Sequence, residues 1–360
     1  GCLCKHLLIK ASPLITELKI RTGIKSVNHH HGRLRECGDC RIKVLLRPLE
    51  VIENELIDLR TGCTRILLTV IDRSLLIYDR HGKFDDIVLG YKDPMSYFGD
   101  GAASGKSVGR VAGRIARGCM TIDGVEYRLE VNNGPNHLHG GTKNFSNRLW
   151  ESCVEYNRVI FTLVSEDGDC GYPAEVTTQV VYDFDDENNL EITIYAKSDG
   201  TTPVNMTNHT YWNLSGENSG TILDHNLQLN CSKALEMNSV QIPTGKLLDV
   251  AGTPQDFTSA RRLGDDISSE FNHIRDFRGY DHFFVVDGWQ KNILGEVGTL
   301  SDPKSGRKVE ILSSQPGCMV YTGNWLSGGC PVTKSGARYS DYAGVAIECQ
   351  GYPDAVNQPD

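Results

Sequence analysis

Leu190-Glu191-Ile192-Thr193-Ile194-Tyr195-Ala196 places apolar side chains at every second position and polar or amphipathic ones between them. That is the period of a β-strand with one buried face. The run leads into Val204-Asn205-Met206-Thr207-Asn208-His209-Thr210-Tyr211-Trp212-Asn213-Leu214, which gathers a histidine, three asparagines, two threonines and two aromatics into eleven residues. A strand feeding such a cluster suits a sugar site, with flat rings for pyranose faces and amides and hydroxyls for hydroxyl groups. The cluster alone fits equally a polar loop with a structural histidine.

Similar short runs rich in Val, Ile, Leu, Thr and Tyr recur on both sides. They fall at Arg65–Ile71, Ile87–Tyr91, Val125–Leu129, Val159–Val164, Glu175–Tyr182, His225–Leu229, His282–Val286, Lys308–Leu312, Cys318–Thr322 and Gly344–Cys349. Turn signals such as Ile122-Asp123-Gly124 and Glu166-Asp167-Gly168-Asp169 separate them. Strands at this spacing, with no long stretch of helical periodicity, predict an all-β sandwich or barrel. One short helix is expected where Thr258-Ser259 caps a turn before Arg261-Arg262-Leu263.

Composition narrows the function classes. The net charge of −9 argues against a nucleic-acid partner, and no run of about 20 apolar residues marks a membrane span. Residues 1–50 carry ten Lys and Arg against four Asp and Glu, leaving −15 on the other 310 residues. We therefore expect a compositionally foreign extension at 1–50 and a single domain at 51–360. Twelve irregularly spaced cysteines suggest reduced thiols and a cytoplasmic protein, with secretion a second option. Cys2-x-Cys4, Cys37-Gly-Asp-Cys40 and His29-His30-His31 offer zinc-type ligands. The first pair is too tight, and no strand-and-turn pattern frames the second, so no metal site is expected.

Individual motifs carry less than their combination. Ser104-Gly105-Lys106-Ser107 resembles a phosphate loop but lacks the required glycine at position 100, which is Asp. Arg110 and Arg114 stand four apart and suit hydroxyl or carboxylate recognition. In Asn136-His137-Leu138-His139-Gly140-Gly141 the two histidines would share one strand face, and the paired glycines would let backbone approach a ligand. Asp281 follows Gly279-Tyr280 and precedes an apolar run, as a sugar-binding carboxylate or a turn cap. Glu348 sits in the apolar strand Ala346–Cys349, where a buried carboxylate must be paired or put to use.

Together these segments resemble the aldose 1-epimerase family, the galactose mutarotases, from about residue 51 to 360. The carriers are Val108-Gly-Arg-Val-Ala-Gly-Arg-Ile115, Leu138-His-Gly-Gly141, Asp167–Pro173, Thr207-Asn-His-Thr-Tyr-Trp-Asn213, Tyr280-Asp-His282, Tyr321-Thr-Gly-Asn324 and Glu348–Pro359. The resemblance implies a large antiparallel β-sandwich with a sugar bound in an open cleft. By motif, His209 would be the catalytic acid and Glu348 the catalytic base, held on opposite sides of the C1–O5 region. Arg114, His139 and Asp281 would bind the sugar, with Tyr211 lining the cleft. It implies a free aldohexose as partner, no metal, nucleotide or covalent intermediate, and a monomer or weak homodimer. A sugar-binding or interaction protein without catalysis is the alternative on the same scaffold.

Three departures from the family's pattern bear on the site. Ala112-Gly113-Arg114 stands where members commonly have Ala-Asn-Arg, which removes an amide. Met319 stands where a Gln is usual, and a thioether donates no hydrogen bond. The sequence stops at Asp360 where relatives continue into a last strand, so an unpaired sheet edge is expected.

Overall fold

The computed structural model describes residues 8–9, 14–21, 74–155, 158–185 and 189–358. The zinc-type clusters in residues 1–50 and the expected strand Arg65–Ile71 lie outside the described residues.

Two antiparallel sheets form a sandwich. The larger has nine strands in the order Glu151–Glu155, Arg158–Ser165, Val176–Phe184, Asn189–Ser198, Leu14–Arg21, Lys308–Ser313, Gly295–Ser301, Asn226–Leu229 and Arg261–Arg262. The smaller has six, in the order Tyr211–Trp212, Val345–Gln350, Gly317–Tyr321, Asp281–Val285, Lys233–Met237 and Pro243–Asp249. The opening run is the centre of the longest strand, Asn189–Ser198. Its alternate residues Leu190, Ile192, Ile194 and Ala196 all enter the main core, as the two-residue period requires.

The core lies between the sheets. From the larger sheet come Val180, Ile192, Leu227, Leu229, Val297 and Ile311; the smaller contributes Phe284, Cys318, Val320, Val345, Ile347 and Cys349. Those six fix the orientation of the smaller sheet. With Val345, Ile347 and Cys349 turned inward, Ala346, Glu348 and Gln350 must point out of the other face. Every residue of Val345–Gln350 is buried nonetheless, so loops roof the second face. The sequence pattern therefore places Glu348 on a covered surface rather than in the main core.

Most expected strands form, within two residues of their expected ends. Ile87–Tyr91 makes isolated bridges from Val88 and Tyr91 instead of a continuous strand. The helix expected after Thr258-Ser259 is absent. Asp256 accepts hydrogen bonds from the Thr258 amide and hydroxyl, and Arg261–Arg262 pairs with Asn226 and Leu227 as the sheet's edge. Part of the basic N-terminal stretch also enters the sheet: Leu14–Arg21 pairs with Asn189–Ser198 on one side and with Lys308–Ser313 on the other. Among the described residues no helix is long and apolar enough to cross a membrane.

Candidate active site

His209 and Glu348 meet because of strand register. Tyr211 is opposite Ala346 in the antiparallel pair, so two residues back the chain brings position 209 beside position 348. The Thr207 hydroxyl fixes the approach by donating to the Cys349 carbonyl at 3.0 Å. His209 Nε2 lies 3.4 Å from Glu348 Oε1, with both side chains buried. They stand side by side, which corrects the expectation of two groups on opposite sides of the C1–O5 region. Adjacent groups still serve that chemistry, because O1 and O5 are bonded to the same carbon.

The backbone of His209 is clamped by the segment first considered as a phosphate loop. Its N–H donates to the Lys106 carbonyl at 2.9 Å, and its carbonyl accepts from the Gly105 N–H at 3.0 Å. No helix follows that segment; Ser107–Val108 is a strand paired with Thr207–Asn208. Lys106 is wholly buried, its ammonium donating to the Tyr97 carbonyl and to Asn147 Oδ1. Burial holds that ammonium down to about 8, against the pull of Asp100.

A cleft of about 880 Å³ opens over the pair. All six residues singled out from the sequence line it: Arg114, His139, His209, Tyr211, Asp281 and Glu348. Tyr211 packs its ring 4.8 Å from that of His209 and donates its hydroxyl to the Ala102 carbonyl at 3.0 Å. His139 follows the short strand His137–Leu138 in a left-handed turn, with φ of 54°. That turn separates it from His137, and the shared face expected of the two histidines does not form. His137 is buried between the Glu130 carbonyl and the Tyr172 hydroxyl. His139 Nδ1 accepts from the Gly113 N–H at 3.2 Å, so its proton sits on Nε2, a donor for the cleft.

The two arginines part company in the same way. Arg110 is buried and spends its guanidinium on the Pro173 and Ala174 carbonyls, Thr202 and Ser165. Arg114 reaches the cleft, donating to Asn133 Oδ1 at 3.0 Å and to Gln241. Gln241 in turn donates to Asp281, whose carboxylate lies 4.0 Å from Arg114 Nη1. Gln241 was not legible in the sequence. It sits at the tip of the turn Asn238–Ile242 with φ of 60°, and no motif surrounds it.

Gly140 has no room for a side chain, because a Cβ there would stand 2.2 Å from the Gly109 carbonyl oxygen. Gly140 thus admits another stretch of backbone, where a ligand was expected. Gln350, on the Glu348 strand, places its Nε2 3.3 Å from where a Gly113 Cβ would be, and it lines the cleft.

Burial dominates the electrostatics. It pushes the Glu348 carboxyl up to about 8, helped by the charge of Asp281 and opposed by Arg114. It holds His209 down to about 4, against a backbone hydrogen bond and the charges of Asp100 and Asp281. His139 is held well below the ordinary histidine range by the cleft walls and by neighbouring His209 and Arg114. Donor atoms of His139, His209 and Glu348 lie within 4.8 Å of one another, close enough to share a cation.

The sequence profile of the aldose 1-epimerase family matches residues 73–360. The chain belongs to the aldose 1-epimerase family. Galactose mutarotase from Bos taurus is 41% identical over 300 residues, covering 83% of this chain and 82% of that protein. Aldose 1-epimerase from Escherichia coli is 36% identical over 282 residues, covering 78% and 80%. Among solved structures, an aldose epimerase homologue from C. elegans aligns with a TM-score of 0.73 at 30% identity, covering 82% of this chain and 89% of that one. Galactose 1-epimerase from Lactobacillus acidophilus aligns at 0.64 and 26%, covering 83% and 86%. The expected family and its all-β sandwich are thereby borne out, and the His209–Glu348 pair lines the cleft.

Proposed function

We propose that this protein interconverts the α and β anomers of a free aldohexose, galactose or glucose, by opening and reclosing the pyranose ring. The observation that carries the reading is the 3.4 Å pairing of His209 with Glu348 at the base of a cleft also lined by Arg114, His139, Tyr211 and Asp281.

The pair titrates as a unit. Between about 4 and about 8 it holds one exchangeable proton. That proton rests either on His209, leaving a carboxylate, or on Glu348, leaving a neutral imidazole. In ring opening, Glu348 removes the proton from the C1 hydroxyl while the imidazolium of His209 protonates the ring oxygen. The C1–O5 bond breaks, and the pair is left as imidazole and carboxylic acid. The C1–C2 bond rotates. Glu348 then returns its proton to the aldehyde oxygen while His209 takes the proton of the attacking C5 hydroxyl, which restores the starting state.

Burial favours the uncharged arrangement, and that is the one reached when the ring is open. Glu348 Oε2 has no hydrogen-bond partner among the described residues. A sugar hydroxyl donating there stabilises the carboxylate and sends the proton to His209. The Nε2–H of His139 supports charge growing on a sugar oxygen. Arg114, Gln241 and Asp281 present a linked set of donors and acceptors for the remaining hydroxyls. With Arg114 engaged by Asn133, Gln241 and Asp281, an unphosphorylated sugar suits the cleft better than a phosphorylated one.

A monomer or weak homodimer in a reducing cytoplasmic setting completes the reading, the setting supported by the free described cysteines. Proton NMR of freshly dissolved α-galactose tests the activity: the β-anomer signal should grow faster with the protein than in buffer alone. An unchanged rate refutes the reading.

A further inference from the structure

Met319 stands directly opposite Glu348 on the cleft face of the smaller sheet, with Phe283 on its other side. Cross-strand neighbours on one face have Cβ atoms about 4.5–5.5 Å apart, so the thioether and the carboxyl share one patch of floor. Met319 lines the cleft and also joins Leu235, Met237, Phe277 and Phe283 in an apolar cluster. A thioether has no hydrogen to give.

The other groups around Glu348 leave Oε2 alone. His209 meets Oε1, and His139 presents a donor atom within 4.8 Å. Arg114 and Asp281 act through their charges, and the Tyr211 hydroxyl is committed to Ala102. The Cys318 and Cys349 thiols face the core behind the sheet. Oε2 is buried without a hydrogen-bond partner among the described residues.

We propose that Met319 is a positioning residue that keeps Glu348 a strong proton acceptor, by occupying the floor beside the Glu348 carboxyl without donating to it. The inference rests on Glu348 being the base of the reaction above. A donor at position 319 would stabilise the carboxylate, weaken the base and compete with the sugar hydroxyl that Oε2 otherwise receives.

The experiment is kcat/KM for galactose against pH, with the buffer rate subtracted, for the wild type, Met319→Gln and Met319→Leu. Gln is expected to move the upper limb down by about one pH unit and to lower kcat several-fold, while Leu leaves the limb where it is. A merely structural role would lower the rate at every pH without moving the limb. Difference infrared spectra against Glu348→Gln follow the same carboxyl without turnover, so a poorly active variant still reports. An unmoved limb in Met319→Gln, or equal movement with Leu, overturns the proposal and leaves the catalytic reading standing. A wild type with no activity at any pH overturns both.

Discussion

His209 Nε2 and Glu348 Oε1 lie 3.4 Å apart on neighbouring backbone segments, so neither can change charge without the other responding. This contact sets the expected pH dependence. Below about 4 both groups hold protons and Glu348 cannot accept one; above about 8 neither holds one and nothing protonates the ring oxygen. We expect kcat/KM to rise and fall across these limbs as a bell, measured by polarimetry with the buffer rate subtracted at each pH.

The same burial has a stability cost of known sign. The Glu348 carboxyl is raised in the folded chain from its ordinary 4.5 to about 8. Its contribution is therefore fully present below 4.5 and is lost as pH rises through about 8. Glu348→Gln carries no charge there, so we expect it to be more stable than the wild type at pH 8, by up to roughly 4 kcal/mol. The gap should shrink toward pH 5. Thermal melts at the two pH values measure it.

Arg110 and Arg114 should separate stability from affinity. Arg110 is buried and bonded to carbonyls and hydroxyls of three segments. Its replacement by Met strands those acceptors and should cost about 3 kcal/mol in urea unfolding. Arg114→Ala should leave the unfolding midpoint nearly unchanged and raise KM, because its partners face the cleft.

Gln241 links Arg114 to Asp281 from a turn outside both strands. Gln241→Leu removes both bonds and leaves two charged side chains less well placed. We expect KM for galactose to rise by about tenfold, equivalent to about 1.4 kcal/mol, with kcat little changed. Initial rates over a range of sugar concentrations separate the two constants.

The fold was legible in sequence because its signal is local. The alternation of Leu190–Ala196 marks a half-buried strand by itself, and Val345, Ile347 and Cys349 alternate with Glu348 in the same way. His209 and Glu348 were legible as types within motifs, but their separation was not. It depends on the pairing of Tyr211 with Ala346, a register between segments far apart in the chain. His139 parted from His137 because a left-handed residue ended the strand after Leu138, and nothing in the sequence fixed that boundary. Gln241 stayed hidden because a lone glutamine in a turn acquires its role only from what the fold sets beside it. At Thr258-Ser259 the expected cap does not form, because Thr258 donates to Asp256 in a turn that leads into an edge strand.

The most direct measurement compares wild type with Glu348→Gln in the polarimetric mutarotation of α-galactose near pH 6, where the pair holds its single proton. The expected result is acceleration by the wild type and a loss of about 10²–10⁴-fold in the variant, with the fold intact by circular dichroism. A variant as active as the wild type would contradict the assignment of Glu348 as the base, and a wild type no faster than buffer would contradict the proposed activity itself.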